Sequence, residues 1–477
     1  MQKCVAVLGG GVGGLSACYY LSKSPHVSKV VLLEATASFG GWINTTRRED
    51  GAVFEHGPRG VRPAGAVGRN TLHMLSDLGL EHEILPVPHH HVASKNRFIF
   101  MNGELHKLPS SLSGLLKTVP PFSSPIILRV MKEVLVKKGK LEDESVHSFV
   151  SRRFGSELAD IAVDCLCRGV FGGDSRKLSM RSCFPPLHTA EQNWGSVLLG
   201  MLLGGEGAGS DARAGLVQRA RTESWAQWSL RRGMQTLPDA LQEALRGREG
   251  VEIHHSAPIR TLSYIAGAWE IQVEGGATVK ADHVISALPA SVLASLLPPD
   301  ARLLSHHLRE INAANIGLVN LEYEGSVLPV SGFGHLIPSS EDSGVLGVVY
   351  DSVPFPQHNR KGEPTTRMTV MMGGAWFEET FGHPDEVKEG MLLDRAVQAV
   401  RSHLNITSSP VWSRSAVLKN CIPQYHLGHW KRLEVMRQYI RDHSLPLTLA
   451  GASFDGVSVN DVIFSGRRAA EGIVGKI

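Results

Sequence analysis

Five glycines flank a single valine near the start of the chain, Gly9-Gly10-Gly11-Val12-Gly13-Gly14, and satisfy G-x-G-x-x-G at Gly9, Gly11 and Gly14. Glycines so spaced suit the cradling of a pyrophosphate. Gly9 makes a tight turn, Gly11 lets backbone amides approach the phosphates, and Gly14 lets the next helix pack closely on its strand. The helix N-terminus adds N–H donors and a partial positive charge. Twenty residues past Gly14 stands Glu34, whose carboxylate can accept both hydroxyls of a ribose. The elements that must position these groups lie on either side. Val5-Ala6-Val7-Leu8 is a short apolar strand, Leu15-Ser16-Ala17-Cys18-Tyr19-Tyr20-Leu21 reads as a helix, and Val30-Val31-Leu32-Leu33 is a second apolar strand running into Glu34. Strand, glycines, helix, strand and acid in that register describe a β-α-β dinucleotide site.

The rest of the composition narrows the class. A length of 477 residues is room for about three domains. Lys+Arg 49 against Asp+Glu 46 leaves +3, too balanced for a protein held to nucleic acid by charge. Gly, at 50 of 477, is about 10% against a usual share of roughly 7%, while Pro at 25 is ordinary. The six cysteines are scattered, with no Cys-x-x-Cys, so they read as reduced thiols and neither a disulfide scaffold nor a zinc site. His89-His90-His91 lies between prolines and Val92 and reads as a solvated loop; Cys165 and Cys167 read as core thiols. No window approaches the roughly 18–20 apolar residues of a spanning helix. The apolar start imitates a secretory signal, but its glycines break the run, so no cleavable presequence is expected. Residues 107–140 carry seven basic residues against Glu133 alone, interleaved with apolar ones, a pattern suited to resting on anionic lipid.

After Glu34 come Phe39-Gly40-Gly41-Trp42 and then Gly57-Pro58-Arg59-Gly60. A Gly-Gly doublet six residues past the ribose acid resembles the amine-oxidase-like FAD superfamily, where the extended FAD passes the doublet and a loop such as 57–60 lies along the flavin. Near the C-terminus Leu445-Pro446-Leu447-Thr448-Leu449-Ala450-Gly451 reads as strand and turn, followed by a helix capped at Asn460-Asp461. The resemblance marks Ala452 and Val457-Ser458-Val459 as backbone contacts to flavin and ribityl chain, and Ile259, between the strand at 251–255 and a hairpin, as a contact to adenine. It implies an α/β fold: a Rossmann-like FAD-binding domain assembled from discontinuous segments (1–91, 212–290 and 420–477), an α+β substrate domain (291–419), and a mostly helical membrane-associated domain (92–211). Residues 204–215 read as a flexible linker and 356–366 as a second exposed loop.

Motifs in the middle of the chain are more specific. Asn96-Arg97-Phe98, Cys167-Arg168-Gly169-Val170-Phe171-Gly172-Gly173, Trp225-Ala226-Gln227-Trp228, Phe333-Gly334-His335-Leu336 and Asn420-Cys421-Ile422-Pro423-Gln424-Tyr425 resemble the protoporphyrinogen oxidase family in its animal form. That resemblance implies one non-covalent FAD per chain, with the flavin carrying the chemistry and no catalytic side chain or metal. It implies removal of six electrons from protoporphyrinogen IX in three flavin cycles, each closed by molecular oxygen with release of hydrogen peroxide. It further implies a homodimer bound peripherally to the mitochondrial inner membrane on its intermembrane-space side, with a downstream ferrochelatase as a candidate recipient of product. Carried onto this sequence, Arg97 is the cation for a substrate propionate, Phe333, Leu336, Val349, Met371 and Ile422 are apolar lining, and Arg59 stands near the flavin edge. Arg97 would open the strand Phe98-Ile99-Phe100 after an uncommitted loop at 86–95. Two other readings share the fold: an amine or polyamine oxidase, and a flavin-free escort-type binding protein.

Overall fold

The structure is a computed structural model that describes residues 3–204 and 215–475; the linker expected at 204–215 lies outside the described residues but for its two ends. Strand Lys3–Leu8 runs between Val27–Leu33 and His283–Ser286, and Val251–His254 and Leu447–Leu449 complete a five-stranded, all-parallel sheet. From Val5 to Leu8 the first strand is apolar at every position because both its faces are covered there. Val5 and Val7 pack under helices Val12–Leu21, Thr236–Leu245 and Val459–Val474, while Ala6 and Leu8 pack against the antiparallel strands Ile259–Ile265, Ala268–Val273 and Thr278–Ala281. Three distant stretches of chain thus build one layered unit.

Helix Val459–Val474 lies across the first helix at backbone contact. A Cβ on Gly466 would stand 2.4 Å from the Gly13 carbonyl oxygen, and one on Gly14 would stand 1.9 Å from that of Gly9. The cap of the last helix differs from expectation. Ser458 is the N-cap and forms a capping box with Asp461, because Ser-x-x-Asp places both groups for reciprocal bonds to the backbone. Asn460 is instead buried and donates to the Arg62 carbonyl at 2.8 Å.

The second sheet has seven strands in the order Trp412–Pro423, Ala313–Glu324, Thr365–Gly374, Val345–Val349, Gly334–Leu336, Phe98–Met101, Glu104–Lys107. Two expected boundaries move. The division at 419/420 falls inside the strand Trp412–Pro423. Residues 98–107, assigned to the helical part, extend this sheet, since His335 and Leu336 pair in parallel with Phe98 and Ile99. The stretch 86–95 is also more ordered than a loop: Ile84–Pro88 pairs with Trp225–Leu230, and His91 caps a one-turn helix at Val92–Lys95.

The remaining helices pack around Phe149, Ile161, Cys165, Cys167 and Phe171. Glu133, the lone acid of the basic stretch, is fully buried there. It accepts from Ser196 Oγ at 2.6 Å and from the Val197 amide at 2.8 Å, and it pairs with Arg153. Among the described residues no helix is long and apolar enough to cross a membrane.

The loop at 356–366 is tethered at one end. His358, in the short turn Pro356–His358, is buried and its ring N–H donates to the Leu230 carbonyl at 2.9 Å. Burial lowers the pKa of His358 to about 4, and that of His429 likewise. Both rings are therefore neutral in the folded chain, while the unfolded chain takes up their protons below about pH 6.5. Stability held above that pH is lost as pH falls toward 4, by about 1.4 kcal/mol per pH unit for each ring. Urea unfolding of His358→Asn across pH 7 to 4.5 is expected to show a shallower acid loss than the wild type. Parallel curves would mean that this ring does not titrate on unfolding.

Candidate functional site

The first helix begins at Gly11, with no side-chain cap and no acid in its first turn. The space beside Gly11 is open, and its nearest neighbours are backbone. A Cβ on Gly11 would meet nothing nearer than the Gly41 Cα at 3.9 Å, and Gly40 bridges to Gly11 as neighbouring strands do. Gly41 itself sits at φ +60, a conformation that glycine adopts without strain. At the edge of this cradle Glu34 is held from both sides: one oxygen accepts from the Gly10 amide at 2.6 Å, the other from the Thr36 amide and hydroxyl at 2.8 and 2.7 Å.

Other marked residues lie on segments joined to this one by backbone contacts. Half-exposed Trp42 presents its carbonyl to Gly57, where a Cβ would stand 2.0 Å from that oxygen, so the doublet and the loop Gly57-Pro58-Arg59-Gly60 meet backbone to backbone. Ile259 follows a turn in which the Ala257 amide donates to the Glu34 carbonyl at 2.8 Å. The Ala452 carbonyl accepts from the Tyr425 hydroxyl at 2.5 Å, and that hydroxyl accepts from the Gly456 amide at 2.9 Å, just before Val457, Ser458 and Val459. An open glycine cradle, an uncapped helix start and a fixed carboxylate fit a dinucleotide.

The second sheet meets the N-terminal segments through Asn320, which bonds to His56 and to the Glu55 carbonyl. Along the strand Ala313–Glu324, residues Val319, Leu321 and Tyr323 pack under helix Glu389–Leu404, so Leu318 and Asn320 point the other way. Leu336, Gly347, Met371 and Leu318 form one cross-strand row on that face; Gly334, Val349, Thr369 and Asn320 form the next. Phe333, Leu336, Val349, Met371 and Ile422 are each half-buried beside fully buried neighbours. Ile422 stands further along, opposite Ala314 past a bulge.

Arg97 opens the strand Phe98–Met101, with its guanidinium 5.9 Å from the centre of the Phe333 ring. It is exposed, yet surrounding protein lowers its pKa by desolvation, with Arg62 adding to the effect. Among the described residues no carboxylate pairs with Arg97. Arg59 is placed differently from a free cation at the flavin edge: its guanidinium is committed to Asp351 at 2.7 Å, with both side chains mostly buried.

A polar chain on the sheet face escaped the sequence reading. The Thr369 hydroxyl donates to Asp351 at 2.6 Å, and Asn320 donates to Thr369 at 2.9 Å and to the Glu55 carbonyl at 3.0 Å. The His56 Nδ1–H donates to the Asn320 side-chain oxygen at 2.8 Å, leaving Nε2 to accept from Thr46 and to sit 3.0 Å from Arg414. Burial, then Arg414, lowers the His56 pKa to about 4, so the ring is neutral. Burial raises Glu55 to about 7. The available signal was Asn320 itself, a lone amide inside the apolar run Ile316-Gly317-Leu318-Val319-Asn320-Leu321. All six cysteines are free, and among the described residues no group of His, Cys, Asp and Glu is arranged to hold a metal.

Comparison with known proteins agrees with this geometry. Residues 12–474 match the family described as flavin containing amine oxidoreductase. The chain is 49% identical over 476 residues to protoporphyrinogen oxidase of Homo sapiens, covering 100% of this chain and 99% of that one. It is 32% identical to protoporphyrinogen oxidase of Schizosaccharomyces pombe, over 98% of this chain and 97% of that one. Among solved structures, cyclohexylamine oxidase from Brevibacterium oxydans IH-35A superposes with a TM-score of 0.69 at 14% identity, over 99% of both chains.

Two substitutions test this site. Glu34→Ala removes a charged acceptor worth roughly 1.5–3 kcal/mol, so flavin affinity should fall by about 10-fold or more in a titration of deflavinated protein; unchanged affinity would remove Glu34 from the site. Asp351→Ala strands the Arg59 guanidinium and should cost about 3 kcal/mol of stability, read by urea unfolding, with Asp351→Asn milder.

Proposed function

The chain belongs to the flavin containing amine oxidoreductase family, and we propose that within it the chain oxidises protoporphyrinogen IX to protoporphyrin IX on a non-covalently held FAD, with molecular oxygen as electron acceptor. The observation that carries this reading is the 49% identity, from end to end, with the human enzyme of that name. It is a flavin-dependent oxidoreductase of porphyrin and haem biosynthesis. Six electrons leave each porphyrinogen, and three molecules of oxygen become three of hydrogen peroxide.

When bound, the flavin supplies hydride acceptance and electron transfer to oxygen. The protein's own residues bind, orient and shield. A porphyrinogen is a broad apolar macrocycle with two propionates, which suits an apolar sheet face with a cation at its rim. Leu336, Met371, Val349 and Ile422 offer the face, and Phe333 with Arg97 the rim. Hydrophobic contact is non-directional, so the Arg97 guanidinium fixes the ring's rotation by gripping one carboxylate through two parallel hydrogen bonds. The neutral His56 and the closed Arg59–Asp351 pair add little net charge of their own.

Non-covalent flavin is supported by the absence of cysteine from residues 450–477, the segment through which monoamine-type relatives tether theirs. Peripheral membrane attachment is supported by an exposed apolar surface. Leu135 is 85% exposed, and Met201, Leu202 and Leu203 are 66, 71 and 62% exposed. Glu133 ties the two segments together through the Val197 amide. Exposed Lys132, Lys137 and Lys140 border it, whereas Lys138 donates to the Gln192 carbonyl. Apolar tips among lysines fit an anionic leaflet. The assignment is a homodimer on the intermembrane-space side of the mitochondrial inner membrane, with ferrochelatase downstream; its support is the resemblance of the middle motifs to the animal enzymes.

Arg97→Ala should raise KM for protoporphyrinogen about 10-fold or more with kcat largely kept, and Arg97→Lys should raise it less, because Lys presents only a point charge. An unchanged KM with lowered thermal stability would instead make Arg97 a structural residue. Glu at 132, 137 and 140 should reduce sedimentation with anionic vesicles while turnover in detergent survives; unchanged sedimentation would place the lipid-facing surface elsewhere.

A further inference from the structure

Arg62 lies in the stretch between Gly57 and the helix Gly65–Asp77, and its backbone is fixed from two sides. Its neighbour Val61 exchanges two hydrogen bonds with Trp228, each 2.9 Å, and the Arg62 carbonyl accepts from Asn460 at 2.8 Å. Its side chain is nevertheless exposed, with no hydrogen-bond or ion-pair partner among the described residues. Most arginines around the site are engaged. Arg48 pairs with Asp50 and Glu322, Arg59 with Asp351 and Arg360 with Glu324, and Arg367 is spent on the Val53 and Phe355 carbonyls. Arg62 and Arg97 are exceptions.

The two exceptions share one rim. Arg59, three residues before Arg62, is bonded to Asp351; the adjacent Tyr350 amide donates to the Phe333 carbonyl at 3.0 Å; and the Phe333 amide donates to the carbonyl of Asn96, next to Arg97, at 2.9 Å. Arg62 is close enough to disfavour the charge on Arg97. Like charges with no carboxylate between them repel, and an anion bridging them turns that cost into binding.

We propose that Arg62 is a second carboxylate anchor, acting with Arg97 so that the pair grips both carboxylates of a dicarboxylate macrocycle and selects it over uncharged analogues. The proposal rests on the functional reading above. It also gives the stretch that continues from Gly57-Pro58-Arg59-Gly60 a part in substrate selection.

The test uses the holoenzyme with protoporphyrinogen IX and with its dimethyl ester, which keeps the macrocycle and loses both charges. For Arg62→Gln, KM for the free acid should rise about 10-fold, KM for the ester should stay within 2-fold of wild type, and kcat, flavin content and melting temperature should hold. Arg62→Lys should recover part of the loss. Binding of the fluorescent product protoporphyrin IX should weaken in parallel. An unchanged KM for the free acid overturns the proposal, and so does an equal rise for acid and ester, which would mark a structural effect. Wild-type enzyme that oxidises neither compound would sink the functional reading instead, so the two failures are distinguishable.

Discussion

Backbone must touch backbone around the glycine cradle, and the arrangement of the segments that meet there follows from that constraint. A dinucleotide is long, polar and rigid at its phosphates, so it needs N–H groups brought close on several sides with no side chains between. Gly14 lies on the Gly9 carbonyl, Gly57 on that of Trp42, and Gly466 on that of Gly13, each at a distance no Cβ could share. With the Gly11–Gly40 bridge, these contacts join the N-terminal unit to the doublet, the loop 57–60 and the last helix. The glycine excess in the composition has its place here.

The second consequence is that two sheets must be held face to site without a continuous core between them. Buried hydrogen bonds do this. His56, Asn320, Thr369, Asp351 and Arg59 form a chain from the N-terminal segments onto the seven-stranded sheet, donors meeting acceptors at each link. Satisfied networks of this kind specify one arrangement, because a slipped register would leave buried groups unpaired. The same alternation that sends Asn320 and Thr369 inward sends Leu318 and Met371 to the same face. Register therefore fixes the polar chain and the apolar row of that face together.

Much of this was legible in residue order. The five-stranded sheet was readable at Val5 to Leu8 and Val30 to Leu33, because a strand buried on both faces is apolar at every position. Local spacing also carried Gly9, Gly11, Gly14 and Glu34. The seven-stranded sheet was less readable, since its strands come from 98–107 and 313–423 and pair across more than two hundred residues. Composition cannot tell that Phe98 lies beside His335. The Arg59–Asp351 pair was hidden for the same reason: its partners are 292 positions apart. The cap of the last helix was misplaced by two residues because Ser458, Asn460 and Asp461 are all good capping types, and only the reciprocal Ser458–Asp461 geometry separates them.

Fold alone leaves amine oxidation and porphyrinogen oxidation on the same scaffold, so the central claim rests on which compound reduces the flavin. The direct measurement is anaerobic mixing of the yellow holoenzyme with protoporphyrinogen IX, coproporphyrinogen III or a panel of primary amines and polyamines, followed at the flavin absorbance band. The account predicts rapid bleaching by protoporphyrinogen, recovery of colour on admitting oxygen, and protoporphyrin fluorescence in step with both, while the amines leave the band unchanged. Bleaching by an amine with no response to either porphyrinogen would contradict it.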